Sequence, residues 1–120
     1  MLKNFIAVAI GGAVGAMLRY GLGLLAAAVG CAGNLATLLI NVCGSFALGM
    51  LTSCCRPGSW LLFAGIGVCG SFTTFSTYSV QSVTLLQQGR FGAAALYIIG
   101  TVCLCLLFAW LGIVAGQKIS

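Results

Sequence analysis

The chain has 120 residues, of which 62% are hydrophobic and only 4% are charged. A soluble domain carries about a quarter charged residues, so this composition excludes an ordinary soluble protein and predicts an integral membrane protein in a lipid bilayer. The net charge of +5 comes from Lys and Arg residues spread singly along the chain. Because they form no basic cluster, we predict no nucleic-acid partner.

Asp, Glu and His are absent from the whole chain. Their absence excludes paired catalytic carboxylates, general bases and Ser-His-Asp arrangements, so the sequence predicts that the protein is not an enzyme. It also removes the intramembrane acid that proton-coupled transporters use as a relay. The seven cysteines contain no CxxC pair, and the sequence alone predicts no metal or redox site among them.

Four apolar segments follow one another along the chain. They cover residues of about 5–29, 35–51, 60–86 and 91–115. A helix of about 20 residues spans a hydrocarbon core of about 30 Å, so each segment is suited to crossing the membrane. The polar connections are short, and we therefore predict one all-α transmembrane domain covering residues 1–120.

The positive charges divide weakly between the two sides of the membrane. With four spans, Lys3, Arg56 and Lys118 lie on one side, and Arg90 lies on the other, joined by Arg19 if it faces that way. Lys and Arg set the orientation of a membrane protein, so a weak bias permits insertion both ways round. We predict a dual-topology, antiparallel homodimer. The alternative is an ordinary membrane protein with a single orientation and both termini in the cytoplasm.

The third segment changes character halfway across the membrane. Ten apolar or small residues from Trp60 are followed by Gly70 and a run rich in Ser and Thr. Ten helical residues rise about 15 Å, which places this change near the bilayer centre. Ser and Thr hydroxyls compete for backbone partners, so we predict a break in the helix near residues 70–76. Such a break exposes carbonyls that can coordinate a cation; hydroxyls bonded back to their own helix are the alternative.

Polar side chains also form stripes on the second and fourth segments. Asn41 and Ser45 are four residues apart and share a helical face. The Asn amide offers two donor hydrogens, which suit an anion in transit. Tyr97, Thr101 and Cys105 share one face of the fourth segment and would form a narrow path of donors. For each stripe, helix packing or interhelical hydrogen bonding is the alternative.

Three motifs resemble the Fluc, or CrcB, family of fluoride channels. Residues 11–20 are similar to the family's GGxxGAxxR motif followed by an aromatic residue. Residues 41–49 are similar to NxxGxFxxG, and residues 67–78 to GxxGGxTTFSTF. The three motifs occur in order, and the likeness covers essentially the whole chain. Ser71 and Tyr78 depart from the third motif, where the family has a glycine and a phenylalanine.

The resemblance implies an antiparallel homodimer, or a pair of oppositely oriented homologues, in the bacterial inner membrane. It implies two pathways for passive fluoride export and a structural Na⁺ at the dimer centre. The family's sodium-binding backbone carbonyls map to Gly70 and Thr73, and its vestibule arginine maps to Arg19. The residues that match its fluoride pathway are Asn41, Phe75, Tyr78, Tyr97, Thr101 and Cys105.

Two other functions remain open from the sequence. A small four-helix multidrug exporter has a similar length, but its chemistry needs a membrane-embedded carboxylate, which this chain lacks. A non-transporting structural membrane subunit would explain the 18 glycines as packing residues. It would not explain the Ser- and Thr-rich run in the third segment. The sequence therefore favours a fluoride-selective channel over both alternatives.

Overall fold

A computed structural model describes all 120 residues, and they form five helices. The third segment is divided into two helices, α3 and α4. Helix α3 covers residues 59–72, and its central part, Leu62–Cys69, is a π-helix. The remaining bounds are α1 Leu2–Ala28, α2 Gly33–Cys54, α4 Phe75–Gln87 and α5 Phe91–Ile119.

Four helical spans are long and apolar enough to cross a membrane. Helices α1, α2 and α5 supply one each, and α3 with α4 supplies the fourth as Ser59–Gln87. The prediction of an all-helical, four-span membrane protein is therefore confirmed. Each helix begins and ends within about one turn of the bounds expected from hydropathy.

Glycine ends two of the helices in tight turns. Gly30, with a φ of 76°, follows α1, and Gly89, with a φ of 73°, follows α4. After α1, the Cys31 N–H donates to the Ala26 carbonyl at 2.8 Å, which is the long bond of a Schellman motif. Glycine adopts the left-handed backbone conformation without steric cost. Each helix therefore ends abruptly, and the chain reverses within a few residues.

Helix α1 lies against α3 at backbone contact distance. A Cβ added to Gly67 would lie 2.8 Å from the Gly11 Cα, and one added to Gly15 would lie 3.0 Å from the Val68 Cα. Lipid gives helices no hydrophobic reason to associate, so close van der Waals contact through small residues must hold them together. The glycines of the first motif therefore fix the position of α3.

Helices α2 and α5 form a second close pair. A Cβ added to Gly49 would lie 3.2 Å from the Ile113 nitrogen, and one added to Gly112 would lie 3.1 Å from the Met50 nitrogen. This contact keeps the polar faces of α2 and α5 side by side.

The chain is apolar outside and partly polar inside. Only 18 of its residues are buried, and the buried polar ones are Thr37, Asn41, Ser82 and Thr101. Large apolar side chains are exposed along the outer faces of all the spans. This distribution suits a lipid solvent and places a few polar groups in the interior.

Replacing Gly15 by Ala should destabilise the protein, because its Cβ would overlap the backbone of Val68. We expect a loss of about 1–3 kcal/mol, seen as a lower unfolding midpoint in detergent followed by tryptophan fluorescence. Gly23→Ala on the same helix is the control, since nothing lies within 4 Å of that site. Equal midpoints for the two variants would contradict the packing described for α1 and α3.

Candidate functional site

The third segment breaks at Thr73 and Thr74. Both residues have extended backbone, with φ −81° and ψ 157° at Thr73 and φ −147° and ψ 119° at Thr74. The break lies within the predicted range 70–76, but Gly70 itself is helical, with φ −63° and ψ −36°. Extended dihedrals suit β-branched threonine, so the break needs no glycine.

Asn41 on α2 holds the break by pairing with both the backbone N–H and the backbone carbonyl of one residue, Thr74. Its Nδ2 donates to the Thr74 carbonyl at 3.0 Å, and its Oδ1 accepts from the Thr74 N–H at 2.8 Å. The side-chain amide thereby replaces the helical partners that this backbone has lost. An unpaired backbone group inside a membrane costs several kcal/mol, so this pair is a major stabilising contact. The sequence suggested an anion-binding role for Asn41, with interhelical hydrogen bonding as the alternative, and these two bonds are of that second kind.

The hydroxyls of the Ser- and Thr-rich run divide between two tasks. The Thr74 Oγ1 accepts from the Thr77 N–H at 3.2 Å and so caps the start of α4. It also bonds to the hydroxyls of Ser76 and Thr77. Thr73 instead donates to the Cys69 carbonyl of its own helix. This back-bonding is the alternative that was expected for the run. Three of the six hydroxyl residues in the run, Thr74, Ser76 and Thr77, therefore stabilise the break.

The break diverts the amide donors of two carbonyls. In a continuous helix, the Gly70 carbonyl would accept from the Thr74 N–H, and the Thr73 carbonyl from the Thr77 N–H. Here the Thr74 N–H donates to Asn41, and the Thr77 N–H donates to the Thr74 hydroxyl. The carbonyls of Gly70 and Thr73 thus lose their helical partners while remaining next to the break. They are neutral oxygen ligands of the kind that hard cations take.

A cavity of about 310 Å³ lies against the break, and we call it the break cavity. Side chains from α2, α3, α4 and α5 line it. The predicted pathway residues among them are Asn41, Phe75, Tyr78, Thr101 and Cys105. The structure therefore brings together five of the six residues that the sequence suggested for a pathway.

Thr101, which lines the break cavity, has a buried hydroxyl without a protein partner. Its side chain is 5% exposed, and its Oγ1 is the one buried side-chain polar atom without a hydrogen-bond partner. Buried hydroxyls are normally paired, so the Thr101 hydroxyl is a donor that a ligand or a water molecule can use.

Three aromatic rings follow one another from the break towards α5. The ring centroids of Phe75 and Tyr78 are 5.5 Å apart, and those of Tyr78 and Tyr97 are 5.4 Å apart. The Tyr78 hydroxyl donates to the Ile98 carbonyl at 2.8 Å, so its proton is used in a hydrogen bond to α5. The Tyr97 hydroxyl donates to the Gln81 Oε1 at 2.7 Å, and Tyr97 does not line the break cavity.

Arg19 lies on the other side of the break. Its Nε donates to the Ser71 carbonyl at 3.1 Å. A second cavity of about 410 Å³ surrounds it, with Thr74 lining both cavities. The other polar residues there are Thr37, Thr77 and Gln81. Thr37 was not predicted from the sequence, although it lies four residues before Asn41 on the same face of α2.

Comparison with known proteins identifies relatives across nearly the full length. The family model described as CrcB-like protein, Camphor Resistance (CrcB), matches residues 6–113. The chain is 42% identical to the fluoride-specific ion channel FluC of Paramagnetospirillum magneticum, over 99% of both chains. It is 47% identical to the fluoride-specific ion channel FluC 2 of Geobacillus kaustophilus, over 94% of this chain and 92% of the relative.

The break also depends on space left by Gly44, whose added Cβ would overlap the Thr73 Cγ2. Gly44→Ala should therefore lower the unfolding midpoint in detergent, by about 1–3 kcal/mol in free energy of unfolding. The double variant Gly44→Ala/Thr73→Ser should recover most of this loss, because serine lacks the overlapping methyl and keeps the hydroxyl. No recovery in the double variant would show that Gly44 does not pack against the break.

Proposed function

This chain belongs to the CrcB family of fluoride channels, and on that premise we propose that it conducts fluoride passively out of the cytoplasm. It is an ion channel rather than an enzyme, and a multi-pass protein of the bacterial plasma membrane. The observation that carries the proposal is the unpaired hydroxyl of Thr101, a residue that lines the break cavity. No acid is available for the chemistry of a drug exporter.

Fluoride is small and strongly hydrated, so a selective path must replace its water with other donors. Thr101 has a hydroxyl with no protein partner. Asn41 uses one donation from its amide nitrogen on Thr74, and the NH₂ group has a second hydrogen to offer. These neutral donors can stabilise an anion without binding it so tightly that it cannot leave.

Aromatic rings supply the remaining favourable electrostatics. The edge of an aromatic ring carries partial positive charge, which an anion can approach. Phe75 and Tyr78 line the break cavity. The Tyr78 hydroxyl donates to the Ile98 carbonyl, and this bond holds the ring in place. The phenol proton is therefore already used, and we propose that the ring edge contacts the ion. We assign both rings to the pathway, with Cys105 beside them and Tyr97 beyond it.

Arg19 has no acidic partner anywhere in the chain. We propose that its cavity is the vestibule of the pathway, where its charge raises the local concentration of anions. Thr74 lines both cavities, so the break forms the wall between the vestibule and the break cavity.

We propose an antiparallel homodimer as the working form. In the single chain the break cavity is open, and Phe75 is 76% exposed. Polar groups facing hydrocarbon would be left unsatisfied, so a second protein surface is needed to cover them. The weak charge bias is compatible with opposed orientations. A two-fold dimer repeats every feature, giving two fluoride pathways.

We also propose that a structural sodium ion is held at the dimer centre by the carbonyls of Gly70 and Thr73. Both carbonyls lack their helical donors, and a hard cation accepts neutral oxygen ligands. When bound, the ion would supply positive charge to these oxygens. The chain itself orients them, through Asn41 pairing with Thr74.

Thr101→Val should reduce fluoride efflux from proteoliposomes by about tenfold to a hundredfold, because a hydrogen bond to a charged group is worth about 1.5–3 kcal/mol. The shape of the side chain is preserved, so folding should be unaffected. Thr101→Ser, which keeps the hydroxyl, and Thr84→Val, whose hydroxyl bonds only to its own helix, are the controls. Efflux by Thr101→Val at the rate of the unmodified protein would remove Thr101 from the pathway.

Replacing Na⁺ by N-methylglucamine at constant ionic strength should lower the unfolding midpoint of the purified protein. An ion present at 100 times its Kd stabilises the folded form by about 2.7 kcal/mol. The measurement is a thermal unfolding series over sodium concentration. A midpoint independent of sodium would contradict the proposed ion.

A further inference from the structure

Cys54 and Cys55 bring two thiols together at the end of α2. Their Sγ atoms are 3.6 Å apart, and both side chains are half-buried and free. Successive side chains on a helix diverge by about 100°, so adjacent cysteines within a helix point apart. Here Cys54 is the last helical residue, and Cys55 is extended, with φ −103° and ψ 141°. The end of the helix therefore turns the second thiol towards the first.

This distance selects a particular coordination geometry. An atom bonded to both sulfurs at about 2.3 Å, the length of a zinc–thiolate bond, would have an S–M–S angle of about 100° when the sulfurs are 3.6 Å apart. That angle is close to tetrahedral or pyramidal. Linear coordination by two thiolates would need the sulfurs to be about 4.6 Å apart.

The surroundings provide no further ligands. No group of three or more cysteine, histidine or acidic side chains is present that would hold a metal ion. A closed structural zinc site takes four protein ligands, so this pair does not form one. Its occupant must be satisfied by two thiolates together with ligands of its own.

We propose that Cys54 and Cys55 form a two-thiolate site for a soft, thiophilic ion of bent coordination, such as Cd²⁺ or trivalent arsenic carrying one organic group. The site lies beside exposed Arg56, Pro57 and Gly58 in the connection from α2 to α3, where it can be reached from water. It is separate from the break cavity, so binding there does not depend on the proposed fluoride pathway.

Phenylarsine oxide is a suitable probe, because its arsenic needs two thiols. Two As–S bonds form and the arsenic–oxygen bond breaks. The two thiol protons leave with the oxygen as water, and arsenic stays trivalent. Cd²⁺ binding instead releases two protons to the buffer and gives a thiolate-to-metal charge-transfer band in the ultraviolet.

The test is intact-mass spectrometry of the reduced, purified protein in detergent after treatment with phenylarsine oxide. We expect one phenylarsenic group per chain, retained in excess monothiol and removed by a dithiol. Cys54→Ser and Cys55→Ser should each abolish the adduct and the Cd²⁺ band. Cys31→Ser, which removes a half-buried thiol at another connection, should preserve both.

Two results would overturn the proposal. The first is that the unmodified sequence takes up no phenylarsenic group and gives no Cd²⁺ charge-transfer band. The second is that Cys54→Ser takes up the phenylarsenic group undiminished, which would place the adduct on other thiols. Labelling without a Cd²⁺ band would restrict the site to arsenic, and a band without labelling would restrict it to metal ions. Unchanged unfolding midpoints in the serine variants would show that loss of binding is not loss of folding.

Discussion

The arrangement of the third span depends on the pair of hydrogen bonds between the Asn41 side chain and the backbone N–H and carbonyl of Thr74. A helix broken at membrane depth exposes backbone groups that lipid cannot satisfy. One amide side chain from α2 satisfies the N–H and the carbonyl of the same residue. With that residue fixed, the Thr74 hydroxyl starts α4, and the carbonyls of Gly70 and Thr73 are released from helical pairing.

The glycines make this arrangement possible by bringing helices close enough for short side chains to act. Gly44 leaves room for the Thr73 methyl beside Asn41, and Gly11 and Gly15 hold α1 against α3. The close pairing of α2 with α5 brings Thr101 and Asn41 into the lining of the same cavity. Packing residues and proposed pathway residues thus belong to one structure, since a change in helix spacing would alter the cavity.

Hydropathy was sufficient to predict the four spans, because lipid imposes both the length and the composition of a crossing helix. The density of Ser and Thr after Cys69 was sufficient to place the break between residues 70 and 76. It was not sufficient to show that the break lies at Thr73 and Thr74 while Gly70 stays helical. A β-branched residue adopts extended backbone at little cost, so the break does not have to fall at the glycine. Nor does periodicity show hydrogen-bond direction. It placed Tyr97 with Thr101 on one face, but the Tyr97 hydroxyl reaches Gln81 outside the break cavity.

The most direct test of the account is fluoride efflux from proteoliposomes, measured with a fluoride electrode while a potassium ionophore clamps the voltage, with a parallel chloride measurement. We predict rapid release of fluoride and no release of chloride, because the proposed path offers fixed donors to a small, strongly hydrated anion. Failure of correctly folded protein to release fluoride, or equal release of both ions, would contradict it.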